Sequence, residues 1–578
     1  MALTPLNETL GRHRAAHLLR RTVFGATQTT INTFASLTPS DAMERLFKDN
    51  LESPLPPIDP ATGTEWMTTG TTDANSEGFE LENYFLRWHL GQFLGGLSTG
   101  EDQLAYIFKE RLVLFLHTHF TTKKSVVNNS RALYFQNELF RKFAFDSFLP
   151  DELNFKALTV KVSLDNAMLR FLDGRFNVKG NPNENYAREL LELYSAGRGL
   201  EGADKNTQEE GDYGTFTEED VQAAAKILSG FDFDDSFSEI DPDTGLPTGK
   251  IKSNGNQHDN NPKTMSFRLG NTVIAPDPEL LVNGEPTRES AIDEIRQLID
   301  VIFAQEETAK HICRKIYRFF GYHEIDDSVQ AGIITDLANV FIAADYKIQS
   351  VLTAFFTSRE FYEGATGVQD DVFGSIIKSP IDLVVGHARA FELTLPNYIT
   401  NASEFYEITG FMMGKIDDMG LSYYEPYEVA GYSAYHQFPI YHRGWITTTY
   451  LTQRYAYMQN VSLGMMDSNP LSTLTPIEYV EKHIDFGLAS NAKSLVEEVC
   501  KQLLAVSENV SFTNAASELS EERLNYFLNA FLSTFQIDQD PEGAWTTRWT
   551  NGVDRETVVR QLQDLFNSVF QSPEYQLM

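Results

Sequence analysis

Three segments of this chain bring histidine and carboxylate side chains near enough in sequence to share a proton or a cation, and a fourth gathers aromatic rings around two histidines. The first is ERLVLFLHTHF at 110–120, with His117 and His119 as candidate metal ligands. Two residues apart on a helix means roughly 200° apart in direction, so only an extended segment would turn both rings to one ion. The plain alternative is a pair of buried histidines with satisfied nitrogens. The second is GNPNENYARELLELYSAG at 180–197. At helical spacing Glu184, Asn185, Arg188, Glu189 and Glu192 fill one arc, and Tyr186, Ala187, Leu190, Leu191, Leu193 and Tyr194 fill the other. Glu189 and Glu192 can jointly hold a divalent cation or act as an acid/base pair, with Arg188 orienting an anionic substrate. The Glu184–Arg188–Glu192 spacing also suits an exposed, salt-bridged helix, which accounts for every residue of the stretch.

The third segment is NQHDNNPKTMSF at 256–267, where His258 and Asp259 sit beside Lys263 in a polar loop. Functional residues gather on such loops, although a surface turn has the same composition. The fourth runs from Tyr424 and Tyr427 through Tyr435, His436, Tyr441, His442 and Arg443 to Trp445. It reads as a binding wall for a carbohydrate, peptide or protein, or as an aromatic plug that packs the loop onto the body. DPDTGLPTG at 241–249 has part of a calcium loop's carboxylate spacing but not the full ligand series, and reads as a turn.

The elements that must position these residues are helices. Apolar residues recur at three- and four-residue spacing over 8–22, 40–50, 78–95, 101–119, 184–195, 217–229, 288–303, 307–321, 330–343 and 346–362. The pattern resumes at 378–394, 443–461, 475–484, 492–506, 519–534 and 554–571. Thr217 before Glu219–Asp220 and Ser520 before Glu521–Glu522 are helix-start signals. Polar Gly/Pro-rich stretches interrupt the helices at 52–77, 200–216 and 234–287, the last holding a strand candidate at 267–275. The reading is a mainly α, multi-helix body with a small β-hairpin insertion at 234–287 projecting from it. Its expected parts are 1–233, 234–287, 288–470 with the aromatic loop 423–445, and 471–578, within one continuous body.

With 81 acidic against 47 basic residues the chain carries a net charge of -34, which repels nucleic acid phosphates and anionic lipid headgroups. Nucleic acid is therefore not an expected partner. No run of about 20 apolar residues predicts membrane insertion. The N-terminus lacks a signal peptide's apolar run, which points to the cytoplasm. The two cysteines, Cys313 and Cys500, sit in apolar helical stretches and exclude a disulfide framework. There is no GxSxG elbow, P-loop, dinucleotide GxGxxG, HExxH or CxxCH motif, so the common hydrolase, kinase, dehydrogenase and zinc-protease readings lose their footing.

Together the segments resemble the bacterial domain-of-unknown-function 1800 family. AAHLLRRTVFGAT at 15–27 resembles its entry motif, and ERLVLFLHTHF its histidine-ending helix, with Phe115 and Leu116 where a Trp is often found. LDNAMLRFLDG at 164–174 and the NENYARELLEL stretch resemble its most diagnostic region. TFTEEDVQAAAKILSGF at 215–231, HDNNPKTM, AKHICRKIYRFFG at 309–321, EPYEVAGYSAYHQFPIYHRGWITTTYLTQR and SVFQSPEYQLM follow its pattern. The family has no settled activity, so the resemblance implies no reaction. It does imply a companion chain of the domain-of-unknown-function 1501 family, phosphatase- or sulfatase-like and often carrying a twin-arginine signal, and with it an exported complex.

Two functions of different class follow. One is a metal-dependent enzyme whose divalent ion is held by His117, His119, Glu189 and Glu192, with Arg188, His258 and Asp259 completing the site. The other is a non-catalytic partner or assembly protein, in which these motifs form a buried polar network and the loop bearing Tyr424, Tyr427, Tyr435, His436 and Trp445 docks another chain.

Overall fold

The computed structural model describes residues 3–72, 78–363, 376–463, 471–506, 508–533 and 538–578. The expected boundary at 470 and the end of the expected 519–534 helix lie outside them. Helices dominate, and the only strands among the described residues are three two-residue antiparallel pairs. These are Ile58–Asp59 with Thr64–Glu65, Phe231–Asp232 with Lys250–Ile251, and Lys263–Thr264 with Val273–Ile274. The mainly α class with small hairpin insertions thus holds.

Local chemistry explains where the helices start. Thr217 caps Glu218–Ile227 by accepting from Asp220 N, while the Asp220 carboxylate accepts from Thr217 N, so two otherwise orphaned donors are satisfied. Asp220 also accepts from the backbone and hydroxyl of Ser266 at 2.7 and 2.6 Å, which fastens the 234–287 insertion to this helix. The insertion therefore lies against the body instead of projecting: Phe237, Met265, Leu269 and Ile274 are buried. Its strand is shorter than expected, because Phe267–Leu269 is a 3-10 turn closed by left-handed Gly270.

Several helices escaped the periodicity. Ser130–Phe143, Phe155–Ser163 and Ala402–Asp418 carry buried polar or aromatic residues on the faces that would otherwise read as apolar stripes. The expected 346–362 helix is two, Ile348–Phe356 and Arg359–Glu363. Buried apolar side chains from Leu6 to Tyr575 form one connected cluster, rich in ring contacts such as Phe120 with Phe155 and Tyr194. The Gln103–His119 helix runs through it and is buried along nearly its whole length.

Candidate functional site

The helix continues through both motif histidines, so their rings diverge. Nε2 of His119 donates to the carbonyl of Tyr194 at 3.0 Å. His117 pairs through Nε2 with the Tyr432 hydroxyl at 3.1 Å and lies flat against Tyr424, ring centroids 3.8 Å apart. Burial lowers the His117 pKa to about 3 and that of His119 well below the usual range, so both rings are neutral.

The carbonyl that His119 reaches belongs to an unusual element. Glu184–Glu189 is α-helical, but Leu190–Tyr194 widens into a π-helix and stops at Ser195. Its carbonyls are taken up by its own cap residue and by side chains from another helix, as a buried helix end requires. Leu190 O accepts from Ser195 Oγ at 2.6 Å, and Leu193 O from His311 Nε2 at 3.1 Å and Lys315 Nζ at 2.6 Å. Gly197, at φ +68°, is what admits His311, since a Cβ there would lie 2.3 Å from the ring. π-Turns are concentrated at functional sites, and this one carries Glu192, with Glu189 the last α-helical residue before it.

Arg188 does not bridge to Glu192. It makes two bonds to Glu218, at 3.0 and 2.6 Å, with Glu184 a distant 3.8 Å. Glu192 pairs instead with Arg198 at 2.5 Å, because the wider turn advances each residue by a smaller angle and carries Glu192 away from Arg188. Glu189 is left half-buried, with no hydrogen bond or ion pair to a described residue. Burial, and then the neighbouring Glu192, raise its carboxyl to about 7.

His258 is fully buried and donates from Nδ1 to Ser229 O at 2.9 Å. Its Nε2 lies 3.3 Å from Glu294 Oε1, without the alignment of a hydrogen bond, and Glu294 is bonded to Lys263. Asp259 shapes a turn by accepting from Asn261 N and Nδ2 at 3.0 and 2.7 Å. In the 241–249 turn the Lys161 ammonium bonds both Asp241 and Asp243, so a side-chain cation sits between those carboxylates. Among the described residues no group of three or more His, Cys, Asp or Glu side chains is disposed to hold a metal ion. His117 and His119 reach different neighbours, and among the described residues neither ring is hydrogen-bonded or ion-paired to Glu189 or Glu192.

The aromatic loop is two-sided. Tyr424 and Trp445 are buried, Tyr435 and His436 are partly covered, and Tyr427 is 96% exposed. The buried side joins a polar network that sequence reasoning missed. Tyr423 hydrogen-bonds His89 at 2.8 Å, and Asn137 Nδ2 donates to Tyr424 at 3.2 Å. Arg141 donates to Asn137 at 2.7 Å and grips Glu110 at 2.5 and 2.7 Å. Burial alone would raise the Glu110 carboxyl, but Arg141 outweighs it and holds it near 2. Glu110 and His117 share a helix face in the sequence, which was the available signal, yet Arg141 and Asn137 stand on a helix the periodicity did not reveal. On the outer side of the loop Phe438 (55%), Ile440 (48%), Val429 and Ile446 are exposed with Tyr427.

Fold and site define a mainly helical protein with a side-chain-capped π-helix at its centre and an anchored aromatic loop at its surface. The chain belongs to the family described as protein of unknown function (DUF1800), whose model matches residues 17–577. No curated protein and no solved structure matches it.

Proposed function

We propose that this protein is a non-catalytic docking subunit that captures a partner chain through the outer face of the 425–446 loop. The observation that carries this reading is the concentration of exposed apolar side chains on an anchored loop: Tyr427, Val429, Phe438, Ile440 and Ile446 project from a segment whose Tyr424, Tyr432 and Trp445 are buried. Exposed apolar patches of this kind mark interaction sites, and anchoring lowers the ordering cost of binding. Glu425 adds a second clamp, accepting from Ser125 N and Oγ at 3.1 and 2.5 Å and pairing with Lys123. The motif histidines fit the same reading, since each is neutral or held by a carbonyl or hydroxyl and serves to position the core.

The partner is a chain of the domain-of-unknown-function 1501 family, the companion that the family resemblance implies. The test is calorimetric titration of the purified full chain with such a protein. Binding is expected, and Tyr427→Ser with Phe438→Ser should weaken it at least tenfold while leaving the melting temperature unchanged. Unaltered affinity in that double variant, or no binding by the wild type, would overturn the proposal. The rival metal-dependent reading rests on Glu189, which has no hydrogen bond or ion pair to a described residue. A stoichiometric divalent metal in the same purified sample, lost in Glu189→Gln, would put that reading in its place.

A further inference from the structure

In so acidic a chain, buried and partly buried cations are expected to find carboxylates, and at many places they do. Arg111 pairs with Asp382 at 2.5 Å, Arg141 with Glu110, Arg188 with Glu218, and Arg523 with Glu574 at 2.7 Å. One cavity breaks the pattern. It lies between the Gly11–Val23 helix and the Pro380–Ala390 helix, has a volume of about 50 Å³, and is lined by Arg20, Lys378, Gln28, Tyr575 and Asp382 among others.

Among the described residues Arg20 donates only to Leu504 O, at 2.8 Å, and Lys378 only to Tyr575 O, at 2.6 Å, with its ammonium 4.0 Å from the Tyr575 ring centre. Neither has an acidic partner. Arg389, beyond Gly386 on the same helix, donates only to Gly25 O at 2.9 Å. Arg454 donates to Gln576 at 2.8 Å and to Lys378 O at 2.9 Å, and its fully buried Nη1 meets no acceptor. Asp382, the only acidic side chain among the lining residues, is already committed to Arg111 and to Ser379, and the main-chain oxygen of Met578, also on the wall, accepts from Arg21 at 2.7 Å.

We infer that this cavity is a binding site for a compact oxyanion, a phosphate or a carboxylate group, held between Arg20 and Lys378. The cavity admits an inorganic anion or a lone carboxylate and is too small for a nucleotide. Guanidinium and ammonium donors at one site are the groups that bind such anions. Arg20 and Lys378 are partly buried, and like charges brought together there are costly, a cost that an anion between them offsets. The same strain shows in their acidity: burial lowers Arg20 to about 10, and burial together with Arg20 and Arg454 lowers Lys378 well below the usual lysine range. This inference does not rest on the docking reading.

The experiment is thermal unfolding of the full chain at fixed ionic strength, with chloride replaced stepwise by inorganic phosphate or by acetate. A ligand that binds the folded state alone raises the melting temperature with its concentration. A rise of several degrees with phosphate assigns the site to a phosphoryl oxyanion, and a rise with acetate assigns it to a carboxylate. Lys378→Met and Arg20→Gln should each abolish the rise, and Lys378→Arg should keep it. No rise with either anion, or an equal rise in a folded Lys378→Met or Arg20→Gln protein, overturns the inference. If both of these variants fail to fold, line broadening of the phosphorus resonance (or of the acetate methyl) by wild type decides it, and an unbroadened line counts against the site.

Discussion

His119 illustrates how the motif residues act singly. Its ring fills core space beside Phe120 and Phe155, and its Nε2 satisfies the last π-helix carbonyl, Tyr194 O. His119→Ala therefore leaves both a cavity and an orphaned acceptor, and is expected to cost about 2–4 kcal/mol of stability by urea unfolding. An undestabilised variant would remove the capping role. Glu189→Gln is expected to behave differently, since no partner among the described residues is stranded by it. At this scale the sequence marked the chemically notable residues but not their partners. His119 and His258 both bond main-chain carbonyls, which every residue carries and no residue type announces.

Between elements, one close joint is where the residues that follow the Glu218–Ile227 helix meet the 256–259 turn. Gly230 has φ +90°, and a Cβ there would meet His258 N at 2.7 Å. Gly230→Ala is expected to cost about 2 kcal/mol or more, and to speed amide exchange over 256–264 ahead of the helical body. Uniform exchange would show that the insertion is fastened mainly through Asp220 and Ser266. Helix starts such as Thr217–Asp220 were legible because capping is a contact within four residues. The π-helix at 190–194 was not, because one residue per turn separates it from an α-helix and its stabilising contacts come from His119, His311 and Lys315. The predicted Arg188–Glu192 bridge failed for that reason.

For the molecule as a whole, eleven of its twelve histidines have a lowered pKa, with burial the leading cause in each. A histidine kept neutral by the fold takes up its proton only on unfolding, so its stabilisation is complete above pH 6.5 and is lost as the pH falls toward 3–4. Asp146, Asp165, Glu82 and Glu189, raised to about 7, oppose this: their protonation favours the fold as the pH falls from 7 toward 4. The histidines outnumber them, so the melting temperature is expected to drop between pH 7.5 and 4.5. A flat or rising profile over that range would mean that the carboxyl groups dominate. The helical class was legible in the periodicity. The depth of burial of the polar residues was not, because Glu110 and Arg141 become compatible with a core only once paired.

The loop at 425–446 has one further consequence. Its shape is fixed by buried tyrosines, while Tyr427, Val429, Phe438, Ile440 and Ile446 are exposed. Under the proposed docking role, those five positions would form a natural mutational library, exchangeable to retune recognition while the scaffold that presents them stays the same.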